Sequence, residues 1–362
     1  MSACSFSAKG ISVGVDLSVG AIADLIIDHD GKVVRPLHRA PWIKEPPDSL
    51  PPDISPGLSR LSGDFLCAPF GTSDIEPAPG HGWTANAPWT IVSSAAIAGG
   101  WLVRLRLSRP VMGATVDKVL TVRDDHPFLY QQHDFVGGEG EISVAHHPMT
   151  RMADGGRLSF SPKRFAETPA NPLEPDAARG RYLFAYPAHT EDLTRLPARN
   201  GGTVDLTHYR AGDRREDFVA LVEAEHGGPG WTALARTAED DLVLVLKNPA
   251  ELPVTMLWIS NGGRDYAPWN GRHIGVLGIE DGRAVAGHAA SAGDNALKRQ
   301  GVPTTFRLHP DRTVSFRHVL GARGLGNGAT PPLRVSTEPS RLVMHFADGK
   351  EIATPFDGTF LV

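Results

Sequence analysis

The stretch Trp101-Leu102-Val103-Arg104-Leu105-Arg106-Leu107 alternates apolar and basic side chains. A period of two is that of a strand with one buried and one wet face, whereas a helix repeats near 3.6. Runs rich in apolar and β-branched residues recur at 11–16, 21–28, 115–122, 128–136, 218–224, 242–247, 255–260, 313–320 and 342–346. Asp30-Gly31, between the run at 21–28 and Lys32-Val33-Val34, is the pair that a type I′ hairpin turn selects. Helical periodicity is confined to 175–181 and 290–300. The 39 glycines and 30 prolines are spread throughout, so they punctuate short elements. Stretches 44–56, 72–80, 162–176 and 261–272, rich in Pro, Gly, Asp or Asn, read as loops. No fixed repeat marks a propeller. The expectation is an all-β chain: a large antiparallel β-sandwich, one domain over 1–362.

Composition narrows the function classes. With 362 residues the chain can bury a large core. A net charge of −5 with both signs interspersed gives no basic surface for nucleic acid or acidic membrane. No apolar run approaches the roughly 18 residues of a membrane span. The N-terminal decapeptide lacks the basic and apolar regions of a signal peptide, so a cytoplasmic location is expected. Two cysteines, Cys4 and Cys67, exclude a disulfide scaffold. Cys67, in an apolar run, reads as a packing thiol. The chain shows no Gly-rich phosphate loop, no nucleophile elbow and no zinc-ligand spacing. Neither a cofactor nor a metal is expected, since His81, His147 and Glu280 lack the spacing of a ligand set.

Three short motifs carry candidate chemistry. Pro79-Gly80-His81-Gly82-Trp83 sets a histidine between glycines that permit a sharp turn, beside an aromatic able to stack on a sugar ring. Ile142-Ser143-Val144-Ala145 leads into His146-His147-Pro148, where Pro148 ends regular pairing. Strand alternation sends the two rings to opposite faces, so one of them can face a site. Glu280 closes the apolar run 274–279. There, desolvation raises a carboxyl pKa and makes it a better base, and Asp281 beside it would act in the same direction. Arg264, Asp265, Trp269 and Arg272 share one loop, the mixture of rings and hydrogen-bonding groups that suits a sugar. Asp217 is a further candidate for a hydroxyl, against a solvated carboxylate at a strand start. Trp258 reads as core.

Taken in order, these motifs resemble the aldose 1-epimerase, or galactose mutarotase-like, family. Val19 through Leu25 is similar to its early strand. Gly63 through Pro69-Phe70-Gly71, then His81-Gly82-Trp83 with Trp89, is similar to its Pro-Phe and His-Gly segment. His147-Pro148-Met149 resembles its His-Pro motif, Gly278-Ile279-Glu280 the segment of its glutamate, and 308–316 its closing strands. The likeness covers about residues 11–320. It implies the family's β-supersandwich and a reaction that interconverts the anomers of a free sugar or sugar derivative without a cofactor. By that resemblance Glu280 is the base on the anomeric hydroxyl and His147 the acid on the ring oxygen. By the same resemblance His81 hydrogen-bonds that oxygen or a neighbouring hydroxyl, while Trp83, Asp217, Arg264, Asp265 and Trp269 are expected on their residue types to hold the sugar. Gly71-Thr72-Ser73-Asp74 stands where many members carry an arginine, and Met149-Thr150 where they carry aromatics. A binding protein without activity, or a hydrolase or lyase pairing Glu280 with Asp217 or Asp265, are the alternatives on the same scaffold.

Overall fold

The computed structural model describes residues 3–326 and 330–362. Two antiparallel sheets form the sandwich. One has eight strands, ordered His189–Thr190, Lys163–Glu167, Arg215–Glu223, Val254–Asn261, Val276–Arg283, Val144–His146 and Leu66–Cys67, with Met149–Arg151 also paired to Val276–Arg283. The other has nine, running from His208–Tyr209 through Asp241–Lys247, Thr313–Gly324 and Phe128–Gly137 to Trp89–Ile97 at its edge. The opening alternation is visible in the nine-stranded sheet: Val103, Leu105 and Leu107 are buried, while Arg104 and Arg106 reach across to Asp117.

Alternation also separates the two faces of the eight-stranded sheet. Val219, Leu221, Leu257, Ile259, Leu277 and Ile279 point inward and pack in the main core with Leu129, Leu234, Val243, Val245 and Leu320 of the facing sheet. Phe218, Val222, Met256, Trp258 and Val276 point outward into a second cluster with Trp42, Phe65, Phe70 and Trp269. A third cluster seals the outer face of the nine-stranded sheet, where the strands Arg334–Glu338, Arg341–His345 and Glu351–Pro355 cover Phe128, Tyr130 and Trp231. Among the described residues no helix is long and apolar enough to cross a membrane.

A chain of buried charges ties the sheets together. Lys247 Nζ lies 2.9 Å from Asp281 Oδ1 and 3.1 Å from Glu223 Oε1. His318 Nε2 lies 3.2 Å from Asp281 Oδ2, and Lys163 closes on Glu223. The Lys247 charge and the hydrogen bond from His318 hold the Asp281 carboxyl far below the usual range despite its burial. Such pairs add little net stability, yet losing one partner strands a buried charge.

Several local readings change. Residues 175–181 form no helix; Asp176 instead caps a turn, accepting the backbone N–H of Ala178 at 2.9 Å. Residues 290–300 hold parts of two short helices, His288–Ala292 and Ala296–Arg299, separated at Gly293 and restarted by the Asn295 cap on Lys298. The loop expected over 162–176 contains the strand Lys163–Glu167, disguised by two cations of which Lys163 turns inward to Glu223. The turn at Asp30-Gly31 has positive φ at both residues, 53° and 75°, as type I′ requires.

Lys247→Met is expected to lower the unfolding free energy by about 3–5 kcal/mol in urea titrations, because it leaves Asp281 uncompensated. An unchanged midpoint would mean that the pair is dispensable.

Candidate active site

The site begins with a register. The chain from Val144 to Arg151 runs along Val276–Arg283, with Ala145 opposite Gly282 and Met149 opposite Gly278. Pro148 cannot donate, but its carbonyl accepts the Ile279 N–H at 2.9 Å, so the alignment survives the interruption. That alignment sets His147 opposite Glu280 and His146 opposite Asp281. Their parity sends His147 and Glu280 to the outer face, and His146 and Asp281 into the sandwich. Glu280 therefore lies within its strand, not at its end, and Asp281 faces away from it.

His147 Nε2 and Glu280 Oε1 are 3.1 Å apart, and both side chains are almost wholly buried. Burial pushes the Glu280 carboxyl well up; Asp281 has no part in this. Burial, with His81 as a lesser cause, pushes His147 well down. Phe65 stacks on the His147 ring at 4.5 Å, and Trp258 meets it edge-on at 5.4 Å. The main-chain N–H of His147 donates to Phe65 O at 3.0 Å and to Asp64 Oδ1 at 3.1 Å, fixing the bend. Gly278 makes room for the carboxylate: a Cβ there would come within 2.9 Å of Glu280 Oε1 and 3.1 Å of Trp258 Cβ.

His81 approaches from a turn with positive φ at His81 (67°) and Gly82 (72°). A Cβ at Gly82 would lie 1.9 Å from the Ala68 carbonyl oxygen, so only glycine fits. Gly71 N–H donates to His81 Nδ1 at 3.4 Å, which leaves Nε2 to carry the ring proton. Burial and then Arg264 pull the His81 pKa down to about 4. Its ring sits 5.5 Å from that of His147.

These groups open onto a cavity of about 520 Å³, whose wall includes His81, His147, Glu280, Arg264, Trp258 and Trp269. Among the described residues, Glu280 is the only carboxylate on that wall. Arg264 lies over the Trp269 ring at 4.3 Å and pairs with Glu216 at 3.2 Å. Glu216 also accepts from Ser260 Oγ at 2.9 Å and from the Trp258 indole N–H. His273, buried between Trp42, Trp258 and Trp269, contacts Ser260 through Nδ1 at 2.7 Å.

By sequence, no protein-family model and no curated protein matches the chain. By structure it superposes on a galactose mutarotase-like protein from Clostridium acetobutylicum, with a TM-score of 0.56 at 14% identity, over 89% of this chain and 95% of that one. A galactose mutarotase related enzyme from Lactobacillus acidophilus gives a TM-score of 0.54 at 12% identity, covering 91% and 100%. The fold is the galactose mutarotase-like β-sandwich.

Within this mutarotase-like fold, His81, His147, Glu280, Arg264 and Trp269 converge on one wall, and three other expected residues do not reach it. Asp217 lies one position from Phe218 and so points to the opposite face. There it accepts the N–H groups of Leu183 and Phe184 and the Tyr186 hydroxyl, and pairs with Arg215 at 2.9 Å. Asp265 turns outward to Arg181 and Arg214. Trp83 packs against the main core with Arg109 over its ring at 4.3 Å, because the turn at His81-Gly82 aims the two side chains apart. Sequence reading overlooked Phe65, Phe218 and Glu216 and placed Trp258 in the core alone. Parity within 215–223 and 254–261 is the signal for Glu216, Phe218 and Trp258; Phe65, outside both strands, carries no such signal.

Gly278→Ala is expected to crowd Glu280 away from His147 while costing about 1–3 kcal/mol of stability. A crystal structure or the His147 ring ¹⁵N shifts would show the separation. An undisturbed 3.1 Å contact in the variant would refute the role given to this glycine.

Proposed function

We propose that this protein is an aldose 1-epimerase-like enzyme that equilibrates the anomers of a free sugar. The observation that carries the reading is the direct contact between His147 Nε2 and Glu280 Oε1 on the cavity wall. Anomerisation needs one group to take the proton of the anomeric hydroxyl and another to protonate the ring oxygen. Both oxygens are bonded to the same carbon, so acid and base must stand side by side. A cross-strand pair meets that requirement.

In the proposed cycle Glu280 takes the O1 proton and protonated His147 gives its proton to the ring oxygen. The C1–O5 bond breaks, C1 becomes an aldehyde carbon, and both side chains are left neutral. Rotation about C1–C2 presents the other carbonyl face. His147 then recovers its proton from the O5 hydroxyl as that oxygen attacks C1, and Glu280 returns a proton to O1. Burial favours the neutral forms of both residues, the state reached at the open-chain stage. His81, neutral and donating through Nε2, would bind a ring oxygen or a neighbouring hydroxyl. Arg264 brings a guanidinium to the site from the loop after Val254–Asn261, where the Gly71-Thr72-Ser73-Asp74 segment has none. Trp258, Trp269 and Phe218 offer apolar walls to the faces of the sugar. A two-carboxylate hydrolysis finds no support, since Glu280 has no second acid across the cavity among the described residues.

NMR magnetisation exchange on a panel of hexoses and pentoses should show at least one sugar equilibrating faster than in buffer. Glu280→Gln and His147→Asn should each slow that exchange by about 10²–10⁴-fold. Calorimetric binding without acceleration would select a non-catalytic sugar-binding protein. Buffer rates for every sugar, with no binding, would discard the sugar reading altogether.

A further inference from the structure

The inner face of the same strands holds a second cluster. Asp64, His146 and His318 each bring one ligand atom within 4.8 Å of the others, and all three are fully buried. Among the described residues, both ring nitrogens of His146, both of His133 and Nδ1 of His318 have no hydrogen-bond partner. Burying a polar group unpaired is unfavourable, so this concentration of them is a deficit that a bound ion would remove.

The partners already present orient the donors. Asp281 Oδ2, 3.2 Å from His318 Nε2, keeps the proton on that nitrogen and directs the Nδ1 lone pair inward. This is the carboxylate–histidine pairing that fixes metal-ligand tautomers. Gln131 Nε2 donates to Asp64 Oδ2 at 2.6 Å and His147 N–H to Oδ1 at 3.1 Å, which hold the carboxylate while leaving each oxygen a lone pair.

We propose that Asp64, His146 and His318 bind one divalent transition-metal ion. His133 packs against His146 at 4.9 Å between ring centroids. Imidazole nitrogens with a single carboxylate suit zinc and its neighbours, and not magnesium or calcium. The rings of His146 and His318 stack at 4.1 Å with 12° between planes, so binding one ion through both requires them to turn out of this stack. No donor is exposed, so the ion enters as the chain folds. Once bound, it joins the site-bearing sheet, through His146, to the nine-stranded sheet, through His318, directly behind the backbone of His147.

The chain, produced in zinc-supplemented medium and dialysed against EDTA while folded, should retain about one zinc per molecule by elemental analysis. Refolded from urea with Co²⁺ instead, it should show visible d–d absorption. The double variant His146→Asn/His318→Asn should hold at least tenfold less metal. Wild-type protein with no retained zinc and no cobalt absorption overturns the proposal, and so does undiminished metal in the double variant. Should that variant fail to fold, the wild-type zinc content and cobalt spectrum decide the matter alone. Neither readout depends on sugar turnover, so failure here leaves the epimerase reading standing, and the reverse also holds.

Discussion

Everything of interest in this molecule hangs on how residues 144–151 lie along Val276–Arg283. Two adjacent pairs, His147 with Glu280 and His146 with Asp281, are set by one alignment and sent to opposite faces by strand parity. A slip of one residue would exchange the faces, burying the acid–base pair inside the sandwich and exposing the charges that pin the sheets together. The alignment is held from both sides: by pairing at Ala145 and Met149, by the Pro148 carbonyl, and by the bond of His147 N–H to Asp64. The inner ion pairs and the outer cavity are thus two consequences of one placement.

On the outer face, aromatic packing desolvates the His147–Glu280 pair beside an open cavity. Aromatic rings around His147, from Phe65 and Trp258, exclude water and shift both members of the pair toward neutrality. Arg264 does not float in this apolar setting. It is sandwiched between the Trp269 ring and the Glu216 carboxylate, which is itself fixed by Ser260 and Trp258. A guanidinium held by stacking and by an ion pair has little rotamer freedom left to lose when it meets a ligand.

The parts of this arrangement visible in the sequence were those with local signatures. Strands showed themselves by period, the hairpin at Asp30-Gly31 by its turn residues, and the bend at His147 by Pro148. Parity within a motif was also legible, which is why His146 and His147 could be assigned to different faces. Positions that depend on pairing with a distant strand were not. Asp217 seemed available because its strand was begun at Phe218; with Arg215 as the first residue, Glu216 and Phe218 share the outer face and Asp217 cannot. Asp265 and Trp83 were misplaced for a related reason, since loop side chains follow partners such as Arg181, Arg214 and Arg109 that lie far away in sequence. The strand Gly230–Arg236 was masked by Gly230 and by Ala233 and Ala235, which carry little β signal.

The outermost strand of the nine-stranded sheet, Trp89–Ile97, has no charged residue, and Ile91 and Val92 stand in solvent. A straight edge of that composition is a template on which another chain can continue the sheet. Here the ladder to Gly100–Leu107 is broken by an irregularity between Ile91 and Ser93, at those same two side chains. A kink at that point adds local twist and spoils the flat run of unpaired amides that a neighbour would need. Along this strand it is therefore one irregular position in the ladder, and not charge, that opposes continuation of the sheet by another chain.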